Sequence, residues 1–543
     1  MKQRITYIVK NPESFTPSQI SVQNDAQRPS FTLTNVDAVK EHRLTLGLDE
    51  LPKEISKLLQ QWHELHIRWA SDRPYAAIPP FTSRVSPGLH LFFTPLPSTP
   101  DDAFCAALHS FVSPGLKCAS MGETAIKMPV LSERFRMSAS WQYYAYLEDM
   151  EAVGRLLRGK VCGEAEGKGA CEDWVRRVGE ASYVDVDYDT ISRTVVVTAV
   201  WDSDGEEGWN DTILLPSPDA TVEIGVLNHE SNADAEDIQF GGFLTVLGQD
   251  DRPKATRFQT PTRHYPLLLP STSASEPPTL HPLTYTTSLN QPTGLHPTLT
   301  LTLPAQHLTP PSRTCKLHAH LTLPSYLFID KYQFTDPLFL ASHKLASLRS
   351  LSGATDLEAP DWVVQQCASA ALFELVVPEP ERIPLGPIAS RLPEYGYVDD
   401  LASYKEVMPT GDWNVSISLH LRYLPAATRS HERVPVPWSV VFWACRADAG
   451  AQHPSNPFDR THLGYEGLFG PKTRFMHVEP SNGTHMVEWI DVPVLDTRRA
   501  GWVEGGTVGV VVLAFLGLCW VLFGGNGNGR RREEGKGQGK KTQ

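Results

Sequence analysis

The chain has 543 residues, enough for two or three domains, and its 41% hydrophobic and 20% charged composition excludes a disordered or fibrous protein. Sixty-two acidic against 49 basic side chains give a formal net charge of −13, without the basic stripe that neutralising phosphates requires, so nucleic acid is excluded as a partner. The 44 prolines exceed the usual share of about 5%, and because proline interrupts helix interiors and central strands alike, they favour short strands joined by structured loops.

The opening MKQRITYIVKNPESF has no apolar run longer than three residues and therefore no recognisable signal-peptide core. A strand is expected from Arg4 to Val9. Leu51, Ile55, Leu58, Trp62, Leu65 and Trp69 recur at spacings of four and three, with Asp49 placed as a cap and Pro52 in the first turn, which predicts an amphipathic helix. Its stripe reads as ordinary core and not as a partner groove. A second helix is expected from about Ser138 to Leu157. Between Ser182 and Trp201, YVDVDYD and TVVVTAV straddle a turn near Thr190 and predict two strands. Residues 1–250 are thus read as an α+β region.

Asp185, Asp187 and Asp189 lie on one side of the first of these strands. A D-x-D spacing is what many glycosyltransferases use to hold a divalent metal and a nucleotide-sugar phosphate. No Rossmann-like alternation or Gly-rich loop surrounds it, and a solvated strand face accounts for the spacing. His318 and His320 also share a strand face, but without a third ligand at recognisable spacing they are expected at the surface. The sequence has no GxSxG elbow, HExxH, P-loop or Cys/His protease signature. No residue is nominated as catalytic, and no metal or cofactor is expected.

Eight cysteines include Cys519 in a long apolar run, leaving an odd set: Cys105, Cys118, Cys162, Cys171, Cys315, Cys367 and Cys445. Cys162 and Cys171 enclose the short Gly-rich GEAEGKGA and are the preferred disulfide candidate, two unpaired thiols in a flexible insert being the alternative. Asn210, Asn414 and Asn482 head N-x-S/T sequons, candidate glycosylation sites if this part of the chain is lumenal.

Pro261–Arg313 holds 11 Pro and 16 Ser or Thr with three charges in 53 residues, and its first part, 261–293, reads as a linker or insert. Alternation then sets in. Leu299, Leu301 and Leu303 alternate with threonines; Cys315, Leu317, Ala319, Leu321 and Leu323 alternate with polar residues; so do Trp413, Val415, Ile417, Leu419 and Leu421. Each set predicts a strand with one face inward and one to water, Asn414 lying on the polar face. Val434–Cys445 reads as a buried strand entered from an edge. The fold class expected is mainly β: an antiparallel β-sandwich over about 294–495, preceded by the α+β region and followed by one transmembrane helix.

That helix is read at Gly505–Gly525, where no charge intervenes between Glu504 and Arg530. Twenty-one helical residues span roughly 31 Å, matching a hydrocarbon core of about 30 Å, with Trp502 and Trp520 toward opposite interfaces. The tail, 526–543, carries Arg530, Arg531, Arg532, Lys536, Lys540 and Lys541 against Glu533 and Glu534, a balance of +4. Such a flank belongs in the cytosol, which would put the bulk of the chain in the lumen. The missing leader keeps a tail-anchored topology, with the large domain cytosolic, as the alternative. Lys540 and Lys541, four and three positions from the end, resemble a dilysine retrieval signal of the endoplasmic reticulum.

Several blocks in the β-rich region resemble the PIG-X type subunit of glycosylphosphatidylinositol (GPI) mannosyltransferase I, in its fungal PBN form. They are GLHPT at 294–298, Leu323-Pro324 with LFIDKY at 327–332, DLEAPDW at 356–362, LFEL at 372–375, LHLRYLP at 419–425 and PWSVVFWAC at 437–445. Asp330, Tyr332, Arg422, Tyr423, Pro437, Trp443 and Cys445 are the motif residues. Ser439 departs from the proline more usual in the family. The resemblance implies a type I glycoprotein of the endoplasmic-reticulum membrane, not itself an enzyme. It would bind and stabilise the PIG-M-like catalytic subunit that adds the first mannose to the GPI precursor, with membrane lipid as its other surroundings. A general lumenal folding or quality-control factor is the alternative, and an enzyme using the D-x-D face a third reading.

Overall fold

A computed structural model describes residues 2–24, 28–76, 78–129, 140–150, 154, 174–202, 208–216, 220–230, 237–270, 280–290, 294–384, 404–446, 463–470, 472–481, 483 and 485–523. The chain is mainly β and divides into two compact units, Met1–Tyr423 with Arg433–Ile490, and Leu424–Glu432 with Asp491–Gln543.

The larger unit is built on an eleven-stranded sheet in the order Lys254–Pro261, Asp237–Val246, Thr221–Glu230, Lys2–Val9, Ala38–Gly47, Thr194–Trp201, Tyr183–Asp189, Trp62–Ala70, Gly88–Pro95, Trp141–Ala145 and Ile126–Lys127. Its neighbours run antiparallel except Lys2–Val9 beside Thr221–Glu230. The expected strand at Arg4–Val9 and the expected pair around Thr190 are both present. Along Lys2–Val9, Ile5, Tyr7 and Val9 belong to one apolar cluster and Ile8 to another, so both faces of the sheet are covered. A smaller sheet of Ile20–Gln23, Ser30–Val36 and Trp209–Leu214 adds residues to the first cluster.

The second cluster joins Ile8, Val39, Tyr183, Val200, Leu227 and Phe240 of this sheet to Leu372, Val440, Phe442, Ala444 and Phe475 of a six-stranded sheet. That sheet runs His264–Pro266, Thr473–His477, Val440–Arg446, Lys316–Pro324, Ala368–Leu375 and Leu345–Gly353. Residues of the 1–250 and 294–495 regions therefore share one core. A four-stranded sheet of Asp412–Ser418, Thr298–Pro304, Thr284–Leu289 and Glu479–Pro480 completes a many-sheeted β architecture compatible with the expected sandwich. Thr298–Pro304 keeps the expected alternation, with Leu299, Leu301 and Leu303 buried.

Four expectations are corrected. The helix read over Leu51–Trp69 is helical only at Lys53–Leu59, and Trp62–Ala70 is a strand. Leu65 and Trp69, four apart, share a face in a strand as they do in a helix, so spacing did not discriminate; His66 and Arg68 are buried on the other face. In the helix read over Ser138–Leu157, the aromatic Trp141–Ala145 is a strand, while 151–153 and 155–160 lie outside the described residues. The tract read as a linker or insert is not a bare linker: it contains strands His264–Pro266, Leu268–Pro270, Leu280–Pro282 and Thr284–Leu289, because Leu283, Tyr285 and Leu289 have core to enter. Val434–Cys445 is two strands, His431–Pro437 and Val440–Arg446, interrupted where Trp438 donates its N–H to Met486.

Two disulfides lie among the described residues, Cys105–Cys118 and Cys315–Cys445. The second links neighbouring strands just beyond the Lys316–Ala444 pair and closes a separation of 130 residues. Cys367 is buried and free, and Cys162 and Cys171 lie outside the described residues. In the smaller unit, Asp496 caps a short 3-10 turn that runs into the helix Ala500–Phe523, which has no buried residue. Among the described residues this segment alone is long and apolar enough to cross a membrane, which supports a membrane protein with one span among those residues. Trp502 and Trp520, both exposed, stand about 27 Å apart along the axis at 1.5 Å per residue.

Replacing Cys315 and Cys445 together by Ala is expected to cost about 2–5 kcal/mol, because the crosslink restricts a long loop in the unfolded chain. Denaturant unfolding of the detergent-solubilised protein reads this out; an unchanged midpoint would contradict it.

Candidate functional site

The D-x-D strand is the first place to look for chemistry. Tyr183–Asp189 lies beside Trp62–Ala70, which sets Asp185 opposite Arg68 and Asp187 opposite His66. Arg68 donates from Nε and Nη2 to the two Asp185 oxygens at 2.6 Å each, and from Nη1 to Ser83 Oγ at 3.1 Å. His66 Nδ1 meets Asp187 Oδ1 at 2.7 Å. Asp189 instead accepts from the Ile191 and Ser192 N–H groups in the hairpin turn. Asp185 is 4% exposed, not on a solvated face, and its carboxylate is engaged by a guanidinium instead of being open to a metal. Burial raises the Asp185 carboxyl, and Arg68 opposes this.

His318 and His320 are likewise corrected from surface to interior. Each is 3% exposed, His318 stacking on Phe442 and His320 lying against Tyr465. No group of three or more His, Cys, Asp or Glu among the described residues could hold a metal ion. Farther along the layer, His264 contacts His477 at 2.9 Å and Glu466 at 2.8 Å. These are internal pairings: His264 and His477 join neighbouring strands of the six-stranded sheet, as Arg68 and Asp185 join neighbouring strands of the eleven-stranded one.

A different cluster collects the blocks that carry the family resemblance. Leu327–Phe328 pairs with His420–Leu421, and the next residue, Arg422, is 2% exposed. Its guanidinium donates to three backbone carbonyls: Ser325 at 3.0 Å, Ala359 at 2.8 Å and Ala354 at 3.2 Å. It also lies 4.3 Å from the centre of the Phe328 ring. Burial lowers the Arg422 pKa, while Asp356 and Asp361 counter that shift. Gly353 turns the chain into Ala354 at φ +97°, where a Cβ would come within 2.3 Å of the Ala368 carbonyl.

Asp361 fastens the same loop. Its N–H donates to the Tyr423 carbonyl at 3.0 Å, its Oδ1 accepts from Ser325 at 2.6 Å, and its carbonyl accepts from Lys117 at 2.8 Å. Val363 and Val364 donate back to the Pro360 carbonyl, closing a tight turn. On this platform Leu357, Trp362, Val363 and Tyr423 are 42%, 55%, 54% and 63% exposed. Asp330 accepts from the Tyr332 N–H, and Tyr332 is also exposed. Pro437 ends a strand, Trp443 is buried, and Cys445 is in its disulfide.

The PIG-X / PBN1 family model matches residues 292–523. Protein pbn1 of Emericella nidulans is 39% identical over 96% of this chain and 95% of its own length. The chain belongs to the PIG-X / PBN1 family. Protein pbn1 of Neurospora crassa is 36% identical over 96% of the chain and 95% of that protein, and Protein PBN1 of Saccharomyces cerevisiae 28% over 57% and 60%. Membership assigns this PIG-X / PBN1 protein a role related to GPI-anchor biosynthesis.

Sequence reasoning named Arg422 as a motif residue but missed that three separated segments converge on it; its only signal was the block LHLRYLP. It also missed Cys315–Cys445, although each cysteine stands at an apolar position at the end of an alternating or apolar run. Asn210 and Asn414 are exposed, whereas Asn482, Lys540 and Lys541 lie outside the described residues.

The buried histidines give a pH signature. Burial pushes His90 down to about 3 and His318 and His320 to about 4. Below about 6.5 the unfolded chain takes up protons that these folded sites do not, so each contributes stability that is complete above 6.5 and falls by about 1.4 kcal/mol per pH unit as pH drops toward its folded value. His66 runs the other way: burial depresses it, but Asp187 and Asp185 outweigh burial, so its stabilisation is complete below 6.5 and fades above. His42, His229, His420 and His477 are also lowered, chiefly by burial, so with seven against one, unfolding midpoints are expected to drop from pH 7 to pH 5, and less steeply in His320→Gln; a flat profile would contradict this. Arg68→Met, which strands the Asp185 carboxylate, is expected to cost about 3–5 kcal/mol in chemical denaturation, and a loss below about 1 kcal/mol would contradict the ion-pair account.

Proposed function

We propose that this protein is the non-catalytic accessory subunit of GPI mannosyltransferase I, an endoplasmic-reticulum type I membrane protein whose β units face the lumen. It binds and stabilises the PIG-M-like catalytic subunit that adds the first mannose to the GPI precursor. The observation that carries this reading is family likeness along 96% of the chain, not confined to one motif. The site chemistry supports it: the Asp185 and Asp187 carboxylates, at a glycosyltransferase-like spacing, are engaged by Arg68 and His66 inside the protein. Donor and acceptor of that reaction are both lipid-linked, so the chemistry belongs to a polytopic partner at the membrane surface.

Stabilisation follows from linkage. A subunit that binds only the folded form of its partner lowers the partner's unfolded, degradable fraction by RT ln(1 + [L]/Kd). Candidate glycans at Asn210 and Asn414 suit this topology, since both side chains are exposed. The lysines at 540 and 541 would supply retrieval.

Affinity purification from mild detergent, with mass spectrometry of partners and sequons, tests the reading. One stoichiometric polytopic mannosyltransferase and glycosidase-sensitive sequons are expected. Many weakly bound clients would favour a general folding factor, and unmodified sequons without a mannosyltransferase would overturn both partner and topology.

A further inference from the structure

We propose that the ridge formed by Leu357, Trp362, Val363 and Tyr423 is the docking surface for a polypeptide segment of the membrane-embedded partner, one that presents an apolar cleft with Lys or Arg at its rim. This rests on the accessory-subunit reading and names the surface and the chemistry that reading leaves open.

The first argument is exposure on a rigid support. Four sizeable apolar side chains are between 42% and 63% exposed. They stand on backbone held by the Arg422 bonds to Ala354 and Ala359 and by the Asp361–Tyr423 bond. Ordering a loop normally subtracts from affinity, and here that cost is met within the folded chain. Arg422 achieves this by donating to three carbonyls and lying over the Phe328 ring, with Asp356 and Asp361 offsetting part of its charge. A buried cation so employed makes sense as the fastener of a surface whose shape matters. Trp and Tyr are also the residue types that dominate binding energy at protein interfaces.

The second argument is charge. Asp356 and Glu358 flank Leu357 and both are exposed; Asp356 accepts the Glu358 N–H at 3.0 Å and offsets part of the Arg422 charge, while Glu358 is in no salt bridge among the described residues. Lys117, the basic neighbour, is committed to Asp361. An apolar ridge with a carboxylate on each side of its leucine is poorly suited to a lipid surface, because inserting Leu357 would draw both charges toward hydrocarbon. It is complementary to a protein cleft with basic residues at its edge, where the carboxylates steer encounter and fix register while the apolar side chains supply affinity.

The full-length chain in mild detergent supplies the test. Trp362→Ser with Val363→Ser, and separately Asp356→Lys with Glu358→Lys, are each expected to reduce recovery of the mannosyltransferase catalytic subunit at least tenfold. Leu338→Ser, which alters an apolar side chain 81% exposed elsewhere, should leave recovery unchanged. All four positions are exposed, but Asp356 also offsets the Arg422 charge, so Glu358→Lys alone, which leaves that carboxylate in place, should reduce recovery in the same direction at the parent melting temperature. p-Benzoylphenylalanine in place of Trp362 should crosslink to a partner peptide containing apolar residues next to Lys or Arg. Undiminished recovery with both double variants, or a crosslink to lipid, would overturn the ridge while leaving the accessory reading intact. Failure of the parent chain to recover any mannosyltransferase would overturn both.

Discussion

Phe442 sits where the two large sheets of the main unit meet. It is fully buried, packed against His318, Tyr465, Phe469, Phe475 and His477, and belongs to the cluster that also holds Ile8, Val39, Tyr183 and Phe240. Each sheet lends the other the cover it lacks. The eleven-stranded sheet has apolar side chains on both faces, and the six-stranded sheet buries even the histidines of its Lys316–Pro324 strand. Neither half of the sequence could leave its face of this layer to water without exposing a large apolar area, so the regions before 250 and after 294 are bound into one folding unit.

Burying this layer also governs the polar chemistry. Asp185, Arg68, His66, His264 and His477 lie in or beside it, and a charge there persists only with a partner. The arrangement selects bidentate pairing for Arg68 and Asp185 and neutral rings for His90, His318 and His320. Groups so tightly committed to one another fix the register of neighbouring strands. The same principle operates around Arg422, with the opposite consequence: its carbonyl partners hold a surface loop, and what that loop displays is apolar and exposed. The interior thereby serves stability, and the Leu357–Tyr423 surface is left for the docking we propose.

Much of this was legible in the sequence wherever local pattern and tertiary surroundings agree. Leu299, Leu301 and Leu303 alternate because one side of their strand is core and the other is not, and the uncharged run after Glu504 is a helix because nothing else suits hydrocarbon. Pattern failed where a strand is buried on both sides. Alternation of His318 and His320 with leucines looked like a wet face, and Leu65 and Trp69 matched a helical period that a strand satisfies equally. The Ser/Thr/Pro tract misled for a related reason, since composition measures average burial and not the few positions, such as Leu283 and Tyr285, that pin a short strand to a sheet already formed. At the candidate site, the blocks were visible as sequence; their meeting at Arg422 depends on long-range pairing that no local signal encodes.

The central claim is that this chain contributes folding stability and no chemistry to first-mannose transfer. It is tested most directly by measuring the transfer rate in membranes with and without the chain, normalised to the amount of folded catalytic subunit present. The account predicts that total transfer falls in proportion to the loss of that subunit, with the rate per folded subunit unchanged. A collapse of the normalised rate at an undiminished subunit level would contradict it, and would return the search for a catalytic contribution to this chain.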